Sequence, residues 1–176
     1  NIENNIPAPY GIKGTFRWLK WIEEITGKKI KSDLIVDYNN YNEQLNNIKE
    51  NNNLDNFKVL IEGDSWYSLG LASFIKNELN ATVFLSTDNY GVEYNKQHKL
   101  INNIYNDLGG YELFKKTNKI DPDIVFGSSY IRCKKKWDIV PFSQPIYHLY
   151  EKDHKLLGFE GAFKIIDLIK SSINNN

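Results

Sequence analysis

The stretch Asp121-Pro122-Asp123-Ile124-Val125-Phe126-Gly127-Ser128-Ser129-Tyr130 carries the clearest structural signal in this chain. A turn opens it, three consecutive apolar residues follow, and a glycine with two serines ends it. A short apolar run between turn residues is typical of a strand that is buried on both faces. In open α/β sheets, ligands bind just beyond the carboxyl ends of such strands. The stretch therefore predicts a binding site formed by Gly127, Ser128, Ser129 and Tyr130.

Working outward, the chain after Phe57 alternates short apolar runs with helical patterns. Strands are predicted at 58–61, 82–85, 124–126, 139–141 and 146–147. Helices are predicted at 93–108, 112–117 and 162–173, and a further helix, capped by Asp64 or Ser65, is predicted with apolar residues from Leu69 to Leu79. Such alternation implies a mostly parallel sheet with helices on both faces. The predicted fold class is α/β, a Rossmann-like three-layer domain with about four to five strands.

The first 55 residues lack strand patterns and are predicted to be helical. Apolar residues at helical spacing after Thr15 give a first helix, which Thr15 would cap and Gly27 would end. A second helix is predicted over 33–49. We therefore divide the chain into an N-terminal helical segment, residues 1–55, and a Rossmann-like α/β domain, residues 56–176.

Composition argues against several classes of function. Lysine plus arginine number 22, as do aspartate plus glutamate, so the zero net charge favours neither nucleic acid nor an anionic membrane as a partner. No apolar run approaches the ~18 residues of a membrane span. The lone Cys133 excludes an internal disulfide and favours a reducing, cytoplasmic compartment. Because the sequence has no methionine and begins in the polar run Asn1–Asn5, we expect an excised C-terminal domain of a longer protein.

A second candidate site follows the first predicted strand, at Glu62-Gly63-Asp64-Ser65. A helix N-terminus presents free amide groups that can bind phosphate. Asp64 places a negative charge there, and neither G-x-G-x-x-G nor G-x-x-x-x-G-K-[ST] is present. A helix cap by Asp64 or Ser65 is the favoured interpretation, and nucleotide binding is the alternative.

The serines after Gly127 are not assigned a catalytic role. Ser128 or Ser129 as a nucleophile would need an adjacent base, and the chain has no G-x-S-x-G elbow. A helix cap and a binding role are equal alternatives for this loop. No catalytic residue is predicted.

A third region, from Val140 to Gly161, holds four side chains that can bind metals, namely His148, Glu151, Asp153 and His154. Their spacing matches no zinc or iron pattern, so a solvated loop is the favoured interpretation. Cys133 alone cannot hold an iron–sulfur cluster, which typically takes four thiolates. No metal ligand is predicted in this chain.

Five short motifs, in this order, resemble the C-terminal part of nitrogenase component 1 subunits. They are Pro9-x-Gly11-x-x-x-Thr15, Gly63-Asp64-Ser65, Asp121 to Tyr130, Val140-Pro141, and Leu157-Gly158-Phe159-Glu160-Gly161-Ala162. The resemblance spans Pro7 to Ser172. It is strongest to a beta-type or divergent subunit, because the Gly63-Asp64 turn is similar to that of beta-type chains.

The resemblance implies three similar α/β domains per subunit, of which this chain would be the last. The family includes dinitrogenase, scaffolds for cofactor assembly and reductases of tetrapyrroles. Its members receive electrons from an ATP-driven iron protein and use iron–sulfur clusters, in an anaerobic setting. The implied partners are the missing N-terminal domains, a partner subunit of the same family and the iron protein. The implied cofactor is a metallocluster of the full-length parent, with none in this fragment.

The resemblance also implies a wall of a cluster or substrate cavity. This wall would consist of Gly63, Asp64, the loop from Gly127 to Tyr130, and His148. In alpha-type chains a cofactor-ligating histidine follows a Val-Pro-Phe-x-Gln segment. Here Val140-Pro141-Phe142-Ser143-Gln144 is present, but Ile146 stands where that histidine would align. His148 comes two residues later and would share a strand face with Ile146, so it is kept as a wall residue and not as a ligand.

Two other functions stay open. One is a Rossmann-like binding module that holds a small ligand or a metal chelate without redox chemistry. The other is half of a sugar-nucleotide transferase, which would need a phosphate site. Cysteines at cluster spacing in the upstream sequence would favour the oxidoreductase, and their absence would favour the binding module.

Overall fold

The computed structural model describes residues 6–52, 57–127, 138–141 and 155–174. The described helices are α1 (Gly11–Thr26), α2 (Ser32–Asn52), α3 (Ser65–Leu79), α4 (Asn89–His98), α5 (Gly110–Ile120) and α6 (Gly158–Asn174). The described strands are β1 (Lys58–Glu62), β2 (Thr82–Thr87), β3 (Asn103–Asn106), β4 (Ile124–Gly127) and β5 (Asp138–Pro141). The predicted strand at 146–147 lies outside the described residues.

The five strands form one parallel sheet in the order β3-β2-β1-β4-β5. The apolar runs of β1 and β4 occupy adjacent central positions, where Ile61 aligns with Phe126. Both runs are fully buried, as expected for parallel strands covered on two faces. The prediction of an α/β, Rossmann-like fold with a parallel sheet of four to five strands is confirmed.

Alternating side chains of the central strands divide the core into two layers. Val59 and Ile61 belong to the larger cluster, which includes residues of α1, α3 and α6. Leu60 and Val125 point to the opposite face and pack with Leu113 of α5 in a smaller cluster. Helices therefore cover both faces of the sheet.

The N-terminal segment contributes to the larger cluster. Ala8, Tyr10 and Ile12 are buried there, and α1 contacts both α3 and α6. In α2, Tyr41 stacks on Phe159 with the ring centroids 5.4 Å apart. The first helices thus lie against the α/β domain, while the boundary at residue 55 stays a prediction.

The predicted helix over 93–108 is confirmed only as far as His98, and the part after His98 is wrong. Helix α4 ends at His98, Lys99 adopts a left-handed φ of 50°, and β3 follows from Asn103. The buried amide of Asn95 ends the helix, because it accepts from Ile101 N at 2.7 Å and donates to Ile101 O at 2.8 Å. Ile104 then aligns with Leu85 of β2 instead of continuing a helical face.

The predicted cap of the first helix is also wrong. Tyr10 is the N-cap residue of α1, and Thr15 lies inside the helix. The Thr15 hydroxyl donates to Gly11 O at 2.6 Å and to Pro9 O at 3.1 Å. The predicted end is confirmed, because Gly27 has φ 67° and its N–H donates to Glu23 O at 2.9 Å.

None of the helices in the described ranges combines the length and apolar character needed to cross a membrane.

Candidate functional site

The carboxyl ends of β1 and β4 lie side by side where the strand order reverses. From β1 the chain adds β2 and β3 on one side of the sheet, whereas β4 and β5 lie on the other. Because Ile61 aligns with Phe126, Gly63 and Gly127 emerge at the same edge. Ligands of open α/β sheets bind at such a reversal. The structure thus brings together two glycines that were predicted from separate motifs.

Backbone hydrogen bonds join the ends of β1, β2 and β3. Gly63 N donates to Ser86 O at 3.2 Å, and Asp107 N donates to Thr87 O at 2.7 Å. The Ser68 hydroxyl of α3 lies 3.3 Å from the Thr87 hydroxyl, and both side chains are buried. This edge is therefore a connected unit rather than a set of separate loops.

Asp64 occupies the N-cap position of α3, as predicted, but within the described structure its side chain makes no capping hydrogen bond. The Asp64 carbonyl accepts from Ser68 N at 2.8 Å, and Ser65 is buried as the first helical residue. Asp64 is instead one of the residues that line a cleft beside the strand ends.

This cleft has a volume of about 200 Å³ and an acidic lining. The lining residues are Glu62, Gly63, Asp64, Ser86, Thr87, Asp88, Asp107 and Leu108. One of these carboxylates caps a helix, since Asp88 at the start of α4 accepts a hydrogen bond from Gly91 N at 2.8 Å. Neither lysine nor arginine is among these lining residues, so a phosphate here would meet carboxylates and neutral hydroxyls but no positive side chain. The described lining of the cleft is therefore unfavourable for a nucleotide phosphate.

Sequence reasoning missed the cleft residues contributed by β2 and β3. Ser86, Thr87 and Asp88 follow an apolar run, and polar residues in that position were an available signal. Asp107 and Leu108 were missed because a helix was predicted over 93–108. Without a strand β3 in the prediction, nothing in the sequence placed these two residues beside Gly63.

Several predicted site residues lie outside the described residues. These are Ser128, Ser129, Tyr130 and His148, and their roles stay predictions. Across the described ranges, no group of three His, Cys, Asp or Glu side chains could hold a metal ion. The described residues thus do not fit a ligand set for a metallocluster, and none of them is assigned as a ligand.

The Pro9–Thr15 motif joins α1 to α3 and α6. Pro9 O accepts from the Thr15 hydroxyl and, at 3.0 Å, from Gly158 N at the start of α6. The Glu78 carboxylate of α3 accepts from Ile12 N at 3.0 Å and from Lys13 N at 3.2 Å. Burial raises the pKa of Glu78, although these hydrogen bonds act in the opposite direction. The motif thus has a structural role in holding the first helix.

Comparisons with known proteins agree with this fold. The family model described as nitrogenase component 1 type oxidoreductase matches residues 3–174. A solved structure of nitrogenase Cp1 at pH 6.5 is similar over 95% of this chain, with a TM-score of 0.73 and 19% sequence identity. The match covers 39% of that nitrogenase chain, and at this identity the structural likeness shows the fold alone. Since the family model matches almost every residue, the chain belongs to the nitrogenase component 1 type oxidoreductase family.

Proposed function

We propose that this chain is the C-terminal domain of a nitrogenase component 1-like oxidoreductase subunit. In this proposal, the sheet edge at Gly63 and Gly127 lines a metallocluster or substrate cavity. The main support is that Gly63 and Gly127 lie at the adjacent ends of β1 and β4, where the strand order reverses. Glycine leaves space for the backbone to approach a ligand closely, which a wall of this kind requires. The family match and the partial coverage of a nitrogenase chain support the same role.

The proposal places the redox group outside this chain. The metallocluster would belong to the full-length parent, with ligands from its N-terminal domains or from a partner subunit of the same family. An ATP-driven iron protein would be the electron donor, and the isolated domain would be inert in electron transfer. The setting would be the cytoplasm, as the lone Cys133 suggested.

The test is anaerobic purification of the full-length protein with its partner, followed by iron and sulfide analysis. We expect stoichiometric iron and sulfide in the complex and neither in this domain alone. Stoichiometric iron and sulfide bound to the isolated domain would contradict the assignment. A full-length complex free of iron would instead favour the non-redox binding module.

Substitution of Gly127 tests the cavity wall. Gly127 is buried at the end of β4 and aligns with Pro141 of β5, so a valine there would add a side chain at a buried strand end. We expect Gly127→Val in the full-length protein to lower activity by about a hundredfold or to block assembly, because small displacements at a reaction site are costly. Activity and subunit composition are the measurements.

The matched control is Gly109→Val, since Gly109 has φ −58° and a Cβ there would meet no described atom within 4 Å. Normal assembly and activity of Gly127→Val would remove Gly127 from the proposed wall.

A further inference from the structure

A second cavity lies between α1 and α4, apart from the sheet edge. It has a volume of about 240 Å³. Helix α1 contributes Arg17, Lys20, Trp21 and Glu24, whose spacing puts them on one helical face, and α4 contributes Tyr94 and His98, one turn apart. The segment 6–7 completes the lining. None of these residues lines the acidic cleft, so this groove is a separate feature.

Side chains that can carry positive charge outnumber carboxylates in this groove. Lys20 is partly neutralised, because its Nζ lies 2.8 Å from the Glu23 carboxylate. Arg17 is exposed and, within the described ranges, has neither an ion pair nor a side-chain hydrogen bond. A guanidinium presents two parallel N–H groups that match the two oxygens of a carboxylate. The groove thus offers a guanidinium, unpaired within the described residues, to an anionic, planar group.

Aromatic rings line the groove beside these charges. The rings of Tyr94 and His98 lie with centroids 4.2 Å apart and an interplanar angle of 30°. Trp21 belongs to the opposite helix and tilts against Trp18, with centroids 6.4 Å apart. Flat rings on two walls favour a flat apolar body over a compact inorganic ion.

The indole nitrogen of Trp21 gives an independent indication of a ligand. Trp21 Nε1 is a buried donor without an acceptor in the described structure. An indole N–H only donates, and a buried donor without an acceptor is destabilising. This donor, unpartnered among the described residues, belongs to a residue that lines the groove.

We propose that the α1–α4 groove binds a small planar molecule that carries a carboxylate. Arg17 holds the carboxylate, the Tyr94–His98 pair and Trp21 flank the planar body, and Glu24 opposes the negative charge. The site rests on its own lining residues and goes beyond the proposed cavity wall.

Benzoate, with benzamide as its neutral analogue, tests this site in the full-length protein by isothermal titration calorimetry. We expect saturable binding of one benzoate and at least about tenfold weaker binding of benzamide, since tenfold corresponds to the loss of about 1.4 kcal/mol. Equal binding of the two probes would show that the charge is not recognised and would overturn the proposal. Failure of benzoate to bind would overturn it as well.

Charge variants locate the bound benzoate. Arg17→Gln is expected to weaken benzoate binding by about tenfold or more, the range for a lost charge-assisted pair. Glu24→Gln is expected to strengthen it, because the groove loses its carboxylate. Lys96→Gln is the matched control, since Lys96 is exposed on α4 but does not line the groove. Equal weakening by Arg17→Gln and Lys96→Gln would indicate unspecific attraction and overturn the site.

Trp21→Phe keeps the aromatic wall but removes the indole donor. We expect weaker benzoate binding in Trp21→Phe and an unchanged affinity in Trp18→Phe. If Trp21→Phe, Trp18→Phe and Arg17→Gln all bind benzoate with the wild-type affinity, the assignment is overturned. Circular dichroism of each variant checks that the fold is kept.

Discussion

Gly11 and Glu78 determine how the first helix is attached to the α/β domain. Gly11 has φ 74°, a conformation that side chains disfavour, and a Cβ built on it would overlap the Phe74 ring and lie 2.5 Å from Glu78 Oε1. Glu78 in turn accepts hydrogen bonds from the first amides of α1. A glycine that first suggested family membership therefore has a packing reason that needs no ligand.

Gly11→Ala is expected to lower the free energy of unfolding by about 3 kcal/mol. The left-handed conformation contributes about 1–2 kcal/mol and the overlap with Phe74 a further amount of about 1–3 kcal/mol. Gly14→Ala is the matched control on the same helix, because a Cβ there would meet no described atom within 4 Å. That variant should be more stable by about 0.5–1 kcal/mol. Urea denaturation measures both, and equal stabilities would contradict the packing argument.

The raised pKa of Glu78 predicts a pH dependence of stability. Burial is the main cause, so the native state keeps its proton to a higher pH than the unfolded chain, in which the value is near 4.5. The contribution of this group is complete below the unfolded pKa and is lost as pH rises through the native pKa. In Glu78→Gln, this contribution to the slope of the free energy of unfolding against pH should vanish.

The measurement is the free energy of unfolding from below the ordinary glutamate pKa of about 4.3 up to neutral pH. Glu43→Gln, on an exposed position of α2, should keep the wild-type slope. A slope unchanged by Glu78→Gln would assign the pH dependence to other groups.

Strand β3 forms through contacts from outside its own sequence. The apolar residues between 100 and 108 recur at helical spacing, which predicts a helix there. They are Leu100, Ile101, Ile104, Tyr105 and Leu108. The helix nevertheless ends at His98, because the Asn95 amide bonds both backbone groups of Ile101. The freed segment then pairs with β2, where Ile104 meets Leu85.

Asn95→Ala is expected to lower the free energy of unfolding by about 2–6 kcal/mol, since two buried backbone groups of Ile101 lose their partners at about 1–3 kcal/mol each. Asn102→Ala, an exposed position in the same connection, should change stability by less than about 0.5 kcal/mol. Thermal and urea denaturation provide the comparison. Similar losses in the two variants would show that the side chain of Asn95 does not define the end of α4.

For the molecule as a whole, the important feature is the attachment of the N-terminal segment. Trp66 Nε1 donates to Ile6 O at 2.8 Å, and Ala8 N donates to Trp66 O at 2.9 Å. Gly70 allows this approach, because a Cβ there would overlap Ala8 O. Together with the Pro9–Gly158 hydrogen bond, these contacts tie the start of α1 to both α3 and α6.

The start of α1 and the sheet should therefore unfold in the same event, which hydrogen exchange of their amides can detect. We expect the amide of Ile12 to exchange about as slowly as that of Leu60, because both residues are fully buried, Ile12 in the larger core cluster and Leu60 in the smaller one. The amide of Val36, on an exposed part of α2, should exchange faster. Fast exchange at Ile12 with protection at Leu60 would indicate that residues 1–55 form a separate unit, as the sequence division proposed.

The sequence by itself determined the α/β class, the central strands, the turn glycines and the family. Each of these rests on a local signal, such as the apolar runs of β1 and β4 or the short motifs around Gly11 and Gly63. Residues close in sequence are sufficient to read such signals.

Only the tertiary structure decided the strand order, the end of α4, the acidic cleft and the α1–α4 groove. Glu78 and Ile12 lie 66 residues apart, and their contact has no signature in either segment. Asp107 joins Gly63 at one cleft only because β3 pairs with β2. The physical reason is that periodicity and turn chemistry act locally, whereas pairing and burial depend on which distant segments meet.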